Sequence, residues 1–327
     1  MSQRGDIISK ACGKRPRVVS LFSGAGGLDL GFVQMGFNIV WANDIDESAV
    51  ATYRENIGDH ILLGDVSKVP IEEIPECDVL IGGFPCQGFS EANTSRRLDD
   101  ERNQLYQQYL RVLSAKHPKV FIAENVRGIL TIGGGAAISQ IVSDFEDAGY
   151  QVEYRLLNAA DYGVPQVRRR VIIAGVRKDI SEGFSYPVPT NDRDQREGLA
   201  PWVSIRDALA PIPDPDGPNS DLVPNNTYSK YKMVMNGYLG KRPLDPDKPA
   251  PTVTARGDRR GGVVVLPNPL RERRMTVREL ATIQDFPLDY HFCGTQTDCY
   301  RQIGNAVPVG LSRAIASSVK DLCREVA

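Results

Sequence analysis

The stretch Arg17-Val-Val-Ser-Leu-Phe-Ser-Gly-Ala-Gly-Gly27 decides the fold class of this chain. Its first part, Arg17–Phe22, is apolar enough for a buried strand, and a helical pattern follows at Gly27–Met35. Between them lies a glycine-rich turn. Glycine lets the backbone approach a ligand closely, and the amino end of a helix favours a negative group. The spacing of these glycines differs from that of the G-x-G-x-x-G fingerprint, and this difference argues against a dinucleotide ligand.

The alternation of strand and helix continues through the first half of the chain. Further apolar strands are predicted at 38–43, 60–63, 78–83 and 120–124, and helical patterns at 47–56, 103–115 and 136–148. This order predicts an α/β fold with a doubly wound, mostly parallel sheet. Ligands of such sheets bind at the carboxyl ends of the strands, so the residues after each strand are the candidate site.

The pattern changes near residue 185. Twelve of the 22 prolines fall between Pro187 and Pro251, which excludes continued alternation. Helical periodicity returns at 276–284 and 309–323. We therefore predict a smaller irregular domain inserted near the carboxyl terminus, with a flexible basic tail at 1–16, a catalytic and cofactor-binding domain at 17–185, the inserted domain at 186–273 and a return to the catalytic domain at 274–327.

Composition excludes several classes of protein. The six cysteines are too few for a disulfide framework in 327 residues, and none form the paired spacing of a zinc site, so no metal is predicted. No apolar run reaches the length of a membrane span, and the first ten residues lack a secretory signal. We expect a cytoplasmic protein without a membrane partner.

The net charge of −2 conceals an uneven distribution. Residues 241–279 hold ten basic and five acidic side chains, and residues 166–178 hold five basic and no acidic ones. Such stretches are typical of a face that meets phosphates, but two solvated clusters would have the same composition. Charge alone leaves both interpretations open.

Acidic residues follow the second and third predicted strands. Asp44 is placed to accept hydrogen bonds from ribose hydroxyls, and Asp65 from an adenine amino group. Each alone is more often a helix cap. Together with the glycine turn, the two acids favour an adenosine-containing ligand without a phosphate.

Candidate chemical groups follow the next strands. Cys86 comes after the fourth strand, and Glu124 ends the fifth, so both are expected to face one cavity. An inert core cysteine and a helix-capping glutamate are the plainer alternatives. Downstream, an extended chain would place Gln166, Arg168 and Arg170 on one face, where two guanidiniums can hold a phosphate, a carboxylate or a base carbonyl. A solvated strand edge would explain the arginines equally well.

Six motifs together resemble those of the DNA (cytosine-5)-methyltransferases, in that family's order and over residues from about 17 to the carboxyl terminus. They are Phe22-Ser-Gly-Ala-Gly-Gly27, Pro85-Cys-Gln87, Glu124-Asn-Val126, Gln166-x-Arg-x-Arg170, Arg274-x-Thr-x-x-Glu-Leu280 running on to Gln284-x-Phe-Pro287, and Gly304-Asn-Ala-Val-Pro308. The resemblance is to the bacterial, restriction-modification type, and it implies the S-adenosylmethionine-dependent methyltransferase fold.

The resemblance implies a role for each catalytic residue. Cys86 would attack carbon 6 of cytosine, and Glu124 would donate a proton to ring nitrogen 3. Arg168 would contact the flipped base, Arg170 would position the carboxylate, and Asn125 would help to shape the pocket. Because the target carbon is inaccessible inside a stacked duplex, base flipping is expected.

The resemblance also implies binding residues. S-adenosylmethionine would be the methyl donor, and its pocket would comprise Phe22, Gly24, Gly26, Gly27, Asp44, Ile45, Asp65, Val66, Pro85, Asn305 and Val307. Ile45 departs from relatives that carry an aromatic side chain at this position. The inserted segment would be a target-recognition domain that reads double-stranded DNA in the major groove. The DNA contacts would be made by Gln87, Ser90, Thr252, Thr254 and Arg256.

Two alternatives remain on the same scaffold. A transfer-RNA cytosine-5 methyltransferase would carry a Cys-Phe-Thr signature, whereas Cys293-Gly-Thr295 lacks the aromatic residue. A catalytically inactive DNA-binding homologue is disfavoured because Cys86, Glu124 and both arginines are present. The loop Asp100-Glu-Arg-Asn103 departs from the commoner Asp-Pro-Arg-Gly and leaves open which residue fills the gap left by the flipped base. We expect a monomer whose functional partner is a restriction endonuclease.

Overall fold

The alternating strands and helices predicted from the sequence are present and build one large sheet. The computed structural model describes residues 15–84, 104–196, 198–230, 235, 237, 242–255 and 264–325. The strands of the large sheet are β1 (Arg17–Leu21), β2 (Asn38–Asp44), β3 (Ile61–Leu63), β4 (Val79–Gly82), β5 (Val120–Val126), β6 (Tyr150–Asn158) and, after the two-residue β7 (Gln166–Val167), β8 (Arg169–Arg177).

The order of the strands across the sheet is β3-β2-β1-β4-β5-β8-β6. The pairs from β3 to β5 are all parallel, and β8 runs antiparallel to both of its neighbours. The predicted doubly wound, mostly parallel sheet is therefore confirmed. Chain order reverses between β1 and β4, and at such a switch point the carboxyl ends of the strands open a crevice.

Helices cover both faces of the sheet. On one face lie α1 (Gly27–Gln34), α2 (Glu47–Asn56) and α8 (Val309–Glu325), and on the other α3 (Gln104–Lys116) and α4 (Ala136–Asp147). The helices α5 (Ile205–Leu209), α6 (Val277–Ile283) and α7 (Gln296–Asn305) contribute to a third core. None of those within the described residues combines the length and the apolar composition needed to cross a membrane.

The burial of β1 on both faces of the sheet explains why most of its residues are apolar. Val18 belongs to the core on the side of α1, α2 and α8, whereas Val19 belongs to the core on the side of α3 and α4. Neighbouring side chains of a strand point to opposite faces, so a strand covered on both faces is apolar at most of its positions; Ser20 is the exception among the buried residues of β1. Burying each valine contributes about 1.5–3 kcal/mol.

Two of the longer elements, β6 and α7, are not predicted from the sequence, in addition to the short elements of the segment 186–273. Strand β6 lies at the sheet edge, and its middle is exposed, so it carries little apolar contrast. Helix α7 begins with a capping box in which Thr295 and Asp298 bond reciprocally to each other's backbone. That capping box is a readable start signal for a helix.

The proline-rich segment contains only short elements among its described residues: β9 (Asn191–Asp192), β10 (Ala200–Pro201), α5 and β11 (Ala250–Pro251). Its apolar side chains Ile205, Leu209 and Val253 share a core with residues of α6 and α7. Packing thus joins this segment to the returning part of the chain. The boundaries at residues 16, 185 and 273 stay predictions.

Candidate active site

The glycine turn after β1 is tightly wound. Phe22, Gly24 and Gly26 have φ angles of 56°, 53° and 80°, in the left-handed region that is uncommon for side chains other than glycine. The Ser23 N–H donates to the carbonyl of Asn43 at the end of β2 (2.9 Å), which ties the turn to the neighbouring strand. Helix α1 begins directly after this turn, so its free N–H groups face the same crevice.

Asp44 lies at the end of β2 and contacts the turn. Its Oδ2 accepts from the Gly24 N–H (2.7 Å), and its Oδ1 accepts from the Asp46 N–H (2.9 Å). Burial raises the pKa of the Asp44 carboxyl. Next to it, Ile45 is 73% exposed, and its contact with the adenine ring stays a prediction.

Asp65 follows β3 and caps a short helical turn. Its Oδ1 accepts from the Ser67 N–H (2.9 Å), and the hydrogen bonds from Ser67 lower the pKa of Asp65. Val66 beside it is buried. The helix-cap interpretation therefore applies to one carboxylate oxygen of Asp65, and an adenine contact by this residue stays a prediction.

A buried acid lies beneath the glycine turn and was not singled out from the sequence. Asp29, in the first turn of α1, accepts from Ser20 Oγ (3.0 Å) and from the Tyr53 hydroxyl (2.9 Å). Burial raises the pKa of Asp29 from its ordinary 3.8 to about 7. Tyr53 also lies 3.0 Å from His60 Nε2. An acid inside an otherwise apolar helix face was the available signal.

The returning chain closes the other side of the turn. A methyl group placed on Gly27 would overlap the carbonyl oxygen of Val307, so the two backbones touch. Tyr290 donates from its hydroxyl to the carbonyl of Ala25 (2.6 Å). Asn305 is exposed, and Val307 is buried. Residues about 280 positions apart thus build one pocket wall.

Glu124 and Arg170 form the ion pair of the site. Arg170 Nε lies 2.7 Å from Glu124 Oε1, and the side chains are 11% and 12% exposed. Strand β8 runs antiparallel to β5 with Arg170 opposite Val126, which brings the arginine to the carboxyl end of β5. Arg170 therefore contacts the carboxylate that the resemblance assigns to it, and its role in catalysis stays a prediction.

The chain that leads to Cys86 passes beside this pair. A Cβ added to Gly83 would lie 2.9 Å from Glu124 Oε2, and Asn125 Nδ2 donates to the Phe84 carbonyl (3.0 Å). Cys86 itself lies outside the described residues, as do Pro85, Gln87, Ser90 and Arg256. The last described residue before Cys86 is therefore held against the end of β5.

Arg168 has partners different from those the resemblance implied. It is fully buried, and its guanidinium donates to the carbonyls of Val253 (2.6 Å), Gly304 (2.9 Å) and Ala306 (2.9 Å). Burial lowers the pKa of Arg168, the charge of Arg170 lowers it further, and Glu124 opposes both. A contact of Arg168 with a flipped base stays a prediction.

The predicted DNA-contacting threonines lie against β7. Thr252 Oγ1 donates to the Val167 carbonyl (2.9 Å), and the Val253 N–H donates to Gln166 Oε1 (2.8 Å). Thr254 Oγ1 is buried, and no hydrogen-bond partner for it lies within the part of the chain that the structure describes. The segment that leads to Arg256 is thus anchored to the same strand region as the arginines.

Two arginines of the basic stretch 241–279 hold the protein together. Arg273 forms a bidentate pair with Glu279 (2.8 Å to each oxygen), and Arg278 is fully buried against three carbonyls. Two other basic residues of this stretch, Arg271 and Arg274, line a cavity of about 680 Å³ together with Lys230. Net charge therefore overstates the basic surface of this stretch.

Comparison with known proteins agrees with this geometry. The sequence pattern of the C-5 cytosine-specific DNA methylases matches residues 16–321. The chain is 41% identical over 317 residues to the type II methyltransferase M.NgoFVII of Neisseria gonorrhoeae, covering 90% of this chain and 83% of that protein. It is 37% identical to M.BsuRI of Bacillus subtilis over 354 residues, covering 92% and 78%.

Solved structures share the fold. One from an Escherichia coli prophage, assigned as a DNA modification methyltransferase, superposes with a TM-score of 0.75 at 26% identity over 94% of this chain and 99% of that chain. Dnmt2 methyltransferase of S. pombe superposes with a TM-score of 0.69 over 94% and 99% of the two chains, and at 22% identity it shows the fold alone. With the match over residues 16–321, the chain belongs to the C-5 cytosine-specific DNA methylase family.

Proposed function

We propose that this protein transfers a methyl group from S-adenosylmethionine to carbon 5 of a flipped cytosine within a specific double-stranded DNA sequence, with Cys86 as the nucleophile. The observation that carries the proposal is the Glu124–Arg170 pair, which lies beside Gly83, three residues before Cys86. The glycine turn and Asp44 open at the same edge of the sheet. One crevice can therefore hold a nucleophile, an acid and a methyl donor.

The chain's own groups divide the reaction into accessible steps. The Cys86 thiolate adds to carbon 6, and carbon 5 thereby becomes nucleophilic enough to take the methyl group. Glu124 donates a proton to ring nitrogen 3 as negative charge develops there. Methyl transfer releases S-adenosylhomocysteine; loss of the carbon 5 proton to water, departure of the Cys86 thiolate and return of the nitrogen 3 proton to Glu124 then restore the aromatic ring. Arg170 holds Glu124 in place throughout.

The residues around the turn fit an S-adenosylmethionine ligand. The amino end of α1 and the left-handed turn suit the methionine carboxylate, and Asp44 suits the ribose hydroxyls. Ile45 offers an exposed apolar surface on which an adenine ring can lie. The ligand supplies the electrophilic methyl group on its sulfonium. Val307 and Asn305 complete the pocket from the returning chain.

We assign DNA binding to the segment 186–273, with Thr252, Thr254 and Arg256 at the duplex. Gln87 and Ser90, which follow Cys86 in the sequence, are the candidates for the gap left by the flipped base. The cavity lined by Lys230, Arg271 and Arg274 adds positive charge on this side. The type II relatives support a modification role beside a restriction endonuclease. A monomer acting in the bacterial cytoplasm completes the proposal.

Bisulfite sequencing tests the activity and also identifies the target. Plasmid DNA from cells that express the wild type should retain cytosine within one short sequence context, and DNA from cells that express Cys86→Ala should be fully converted. Conversion of all cytosines in wild-type DNA refutes the methylation of DNA.

A trapping experiment tests the covalent step. A duplex with 5-fluorocytosine at the identified position should form an adduct with the wild type that resists denaturing electrophoresis, because fluorine cannot leave carbon 5 as a proton does. Cys86→Ala should form none while it still binds S-adenosylhomocysteine. An adduct with Cys86→Ala would place the nucleophile elsewhere.

A further inference from the structure

Arg168 joins two segments that are distant in sequence. Its Nη1 donates to the Val253 carbonyl in the segment that leads to the proposed DNA contacts, and its Nη2 donates to the carbonyls of Gly304 and Ala306 in the last motif. Three carbonyl oxygens thus converge on one buried guanidinium. We call the residues 250–255 and 304–307, together with Arg168, the clasp.

The recognition side of the clasp is held at several points. Strand β11 pairs with β7, Thr252 donates to the Val167 carbonyl, and Gln166 accepts from the Val253 N–H. A displacement of residues 252–255 by DNA must therefore strain contacts that end on β7 and on Arg168. Chains of packed and hydrogen-bonded groups of this kind carry energetic coupling between sites.

The other side of the clasp contacts the cofactor turn. A methyl group on Gly304 would overlap the backbone of Thr254 and Ala255, so the last motif lies in direct contact with these two residues. Three residues further on, the Val307 carbonyl touches Gly27. An unbroken series of contacts therefore runs from residues 254 and 255 through residues 304–307 to Gly27 at the end of the glycine turn.

Two buried polar atoms of the clasp, Arg168 Nε and the Thr254 hydroxyl, have no hydrogen-bond partner among the described residues. An unpaired buried donor or acceptor is unfavourable, so an arrangement that pairs these atoms would recover part of that cost. Two arrangements of similar free energy are what a coupling element requires.

We propose that Arg168 is a positioning residue that couples DNA binding to cofactor binding. It connects residues 250–255 to residues 304–307 of the last motif, and the last motif in turn contacts the glycine turn. The inference rests on the proposed function. It assigns Arg168 a purpose that needs no contact with the target base. Arginine suits the role because its planar fork reaches three acceptors at once, which the single ammonium of lysine does not.

The test measures the affinity for S-adenosylhomocysteine by calorimetry, with and without a duplex of the sequence found by bisulfite sequencing. Energetic coupling between sites is reciprocal and commonly amounts to about 5- to 150-fold in affinity. The wild type should show a change within this range. Arg168→Met should reduce the ratio to about one, and Arg168→Lys should retain part of it.

Gly304→Ala provides a second disruption that leaves the guanidinium in place. Its methyl group would push the last motif away from residues 254 and 255, so the ratio should also fall. Arg278→Met is the matched control, because Arg278 is likewise buried and donates to three carbonyls, those of Pro224, Pro287 and Tyr290. This control should lower the melting temperature similarly but keep the coupling ratio.

The outcomes separate the inference from the proposed function. A folded Arg168→Met or Gly304→Ala protein with the wild-type ratio overturns the inference, as does a wild type that methylates its target without coupling. An equal loss of the ratio in Arg278→Met would reduce the effect to general destabilisation and also overturn it. A wild type that methylates no cytosine refutes the proposed function instead.

Discussion

Replacing Arg170 by methionine tests the link between sheet geometry and catalysis. The substitution keeps the aliphatic stem but removes the partner of Glu124, which lies 2.7 Å away in a pair whose side chains are only 11% and 12% exposed. Glu124 then loses the group that fixes its carboxylate toward the base. Arg177→Met is the control, because Arg177 lies on the same strand and forms a surface ion pair with Asp179.

The magnitude follows from the shielding of the pair. A charge-assisted hydrogen bond contributes about 1.5–3 kcal/mol, and each 1.36 kcal/mol corresponds to about tenfold in rate. Single-turnover methyl transfer by Arg170→Met should therefore be about 10- to 150-fold slower. The ion pair of Arg177 is exposed to solvent and screened by it, and it lies at the other end of β8 from Arg170, so that control should react at nearly the wild-type rate.

The assay follows tritium transfer from S-adenosylmethionine to the identified duplex at saturating enzyme. A double-mutant cycle with Glu124→Gln then isolates the interaction, because residues that act as one unit give strongly non-additive effects. Arg170→Met should slow the wild type far more than it slows Glu124→Gln. A wild-type rate for Arg170→Met, or full additivity in the cycle, would show that Arg170 does not act through Glu124.

Three further predictions concern the cofactor pocket and the DNA-binding face. Gly27→Ala should lose most S-adenosylhomocysteine binding in calorimetry, because the methyl group meets the Val307 carbonyl, whereas Gly183→Ala, with open space around it, should bind normally. Asp29, whose pKa is raised to about 7, binds a proton in the folded state more tightly than in the unfolded state, so its contribution to stability falls as pH rises from about 4 to about 7. Melting curves of Asp29→Asn should lack that part of the pH dependence, and an unchanged difference between pH 5 and pH 7.5 would contradict the assignment. DNA affinity should fall steeply between 50 and 200 mM salt, about 10³-fold or more for six phosphate contacts, and a flat response in fluorescence anisotropy would exclude a phosphate-contacting basic face.

Local patterns determined the sheet and its chemically active edge. The mostly apolar character of β1 reports burial on two faces, and the glycine turn, Asp44 and Glu124 can be placed because strand ends are marked by a change from apolar to polar residues. The missed strand β6 is half exposed, so its sequence carries little of that contrast.

Only the tertiary structure showed that Arg168 and Arg170 have different partners. The sequence predicted both on one face of an extended segment, but Arg168 lies at the break between β7 and β8 and is enclosed by carbonyls of Val253, Gly304 and Ala306, whereas Arg170 reaches Glu124. Which partner an arginine meets depends on segments up to 138 residues away in sequence, and no periodicity encodes that distance. The same holds for the contact of Val307 with Gly27. Sequence by itself therefore determined which residues gather at the edge of the sheet, and packing decided which of them act on one another.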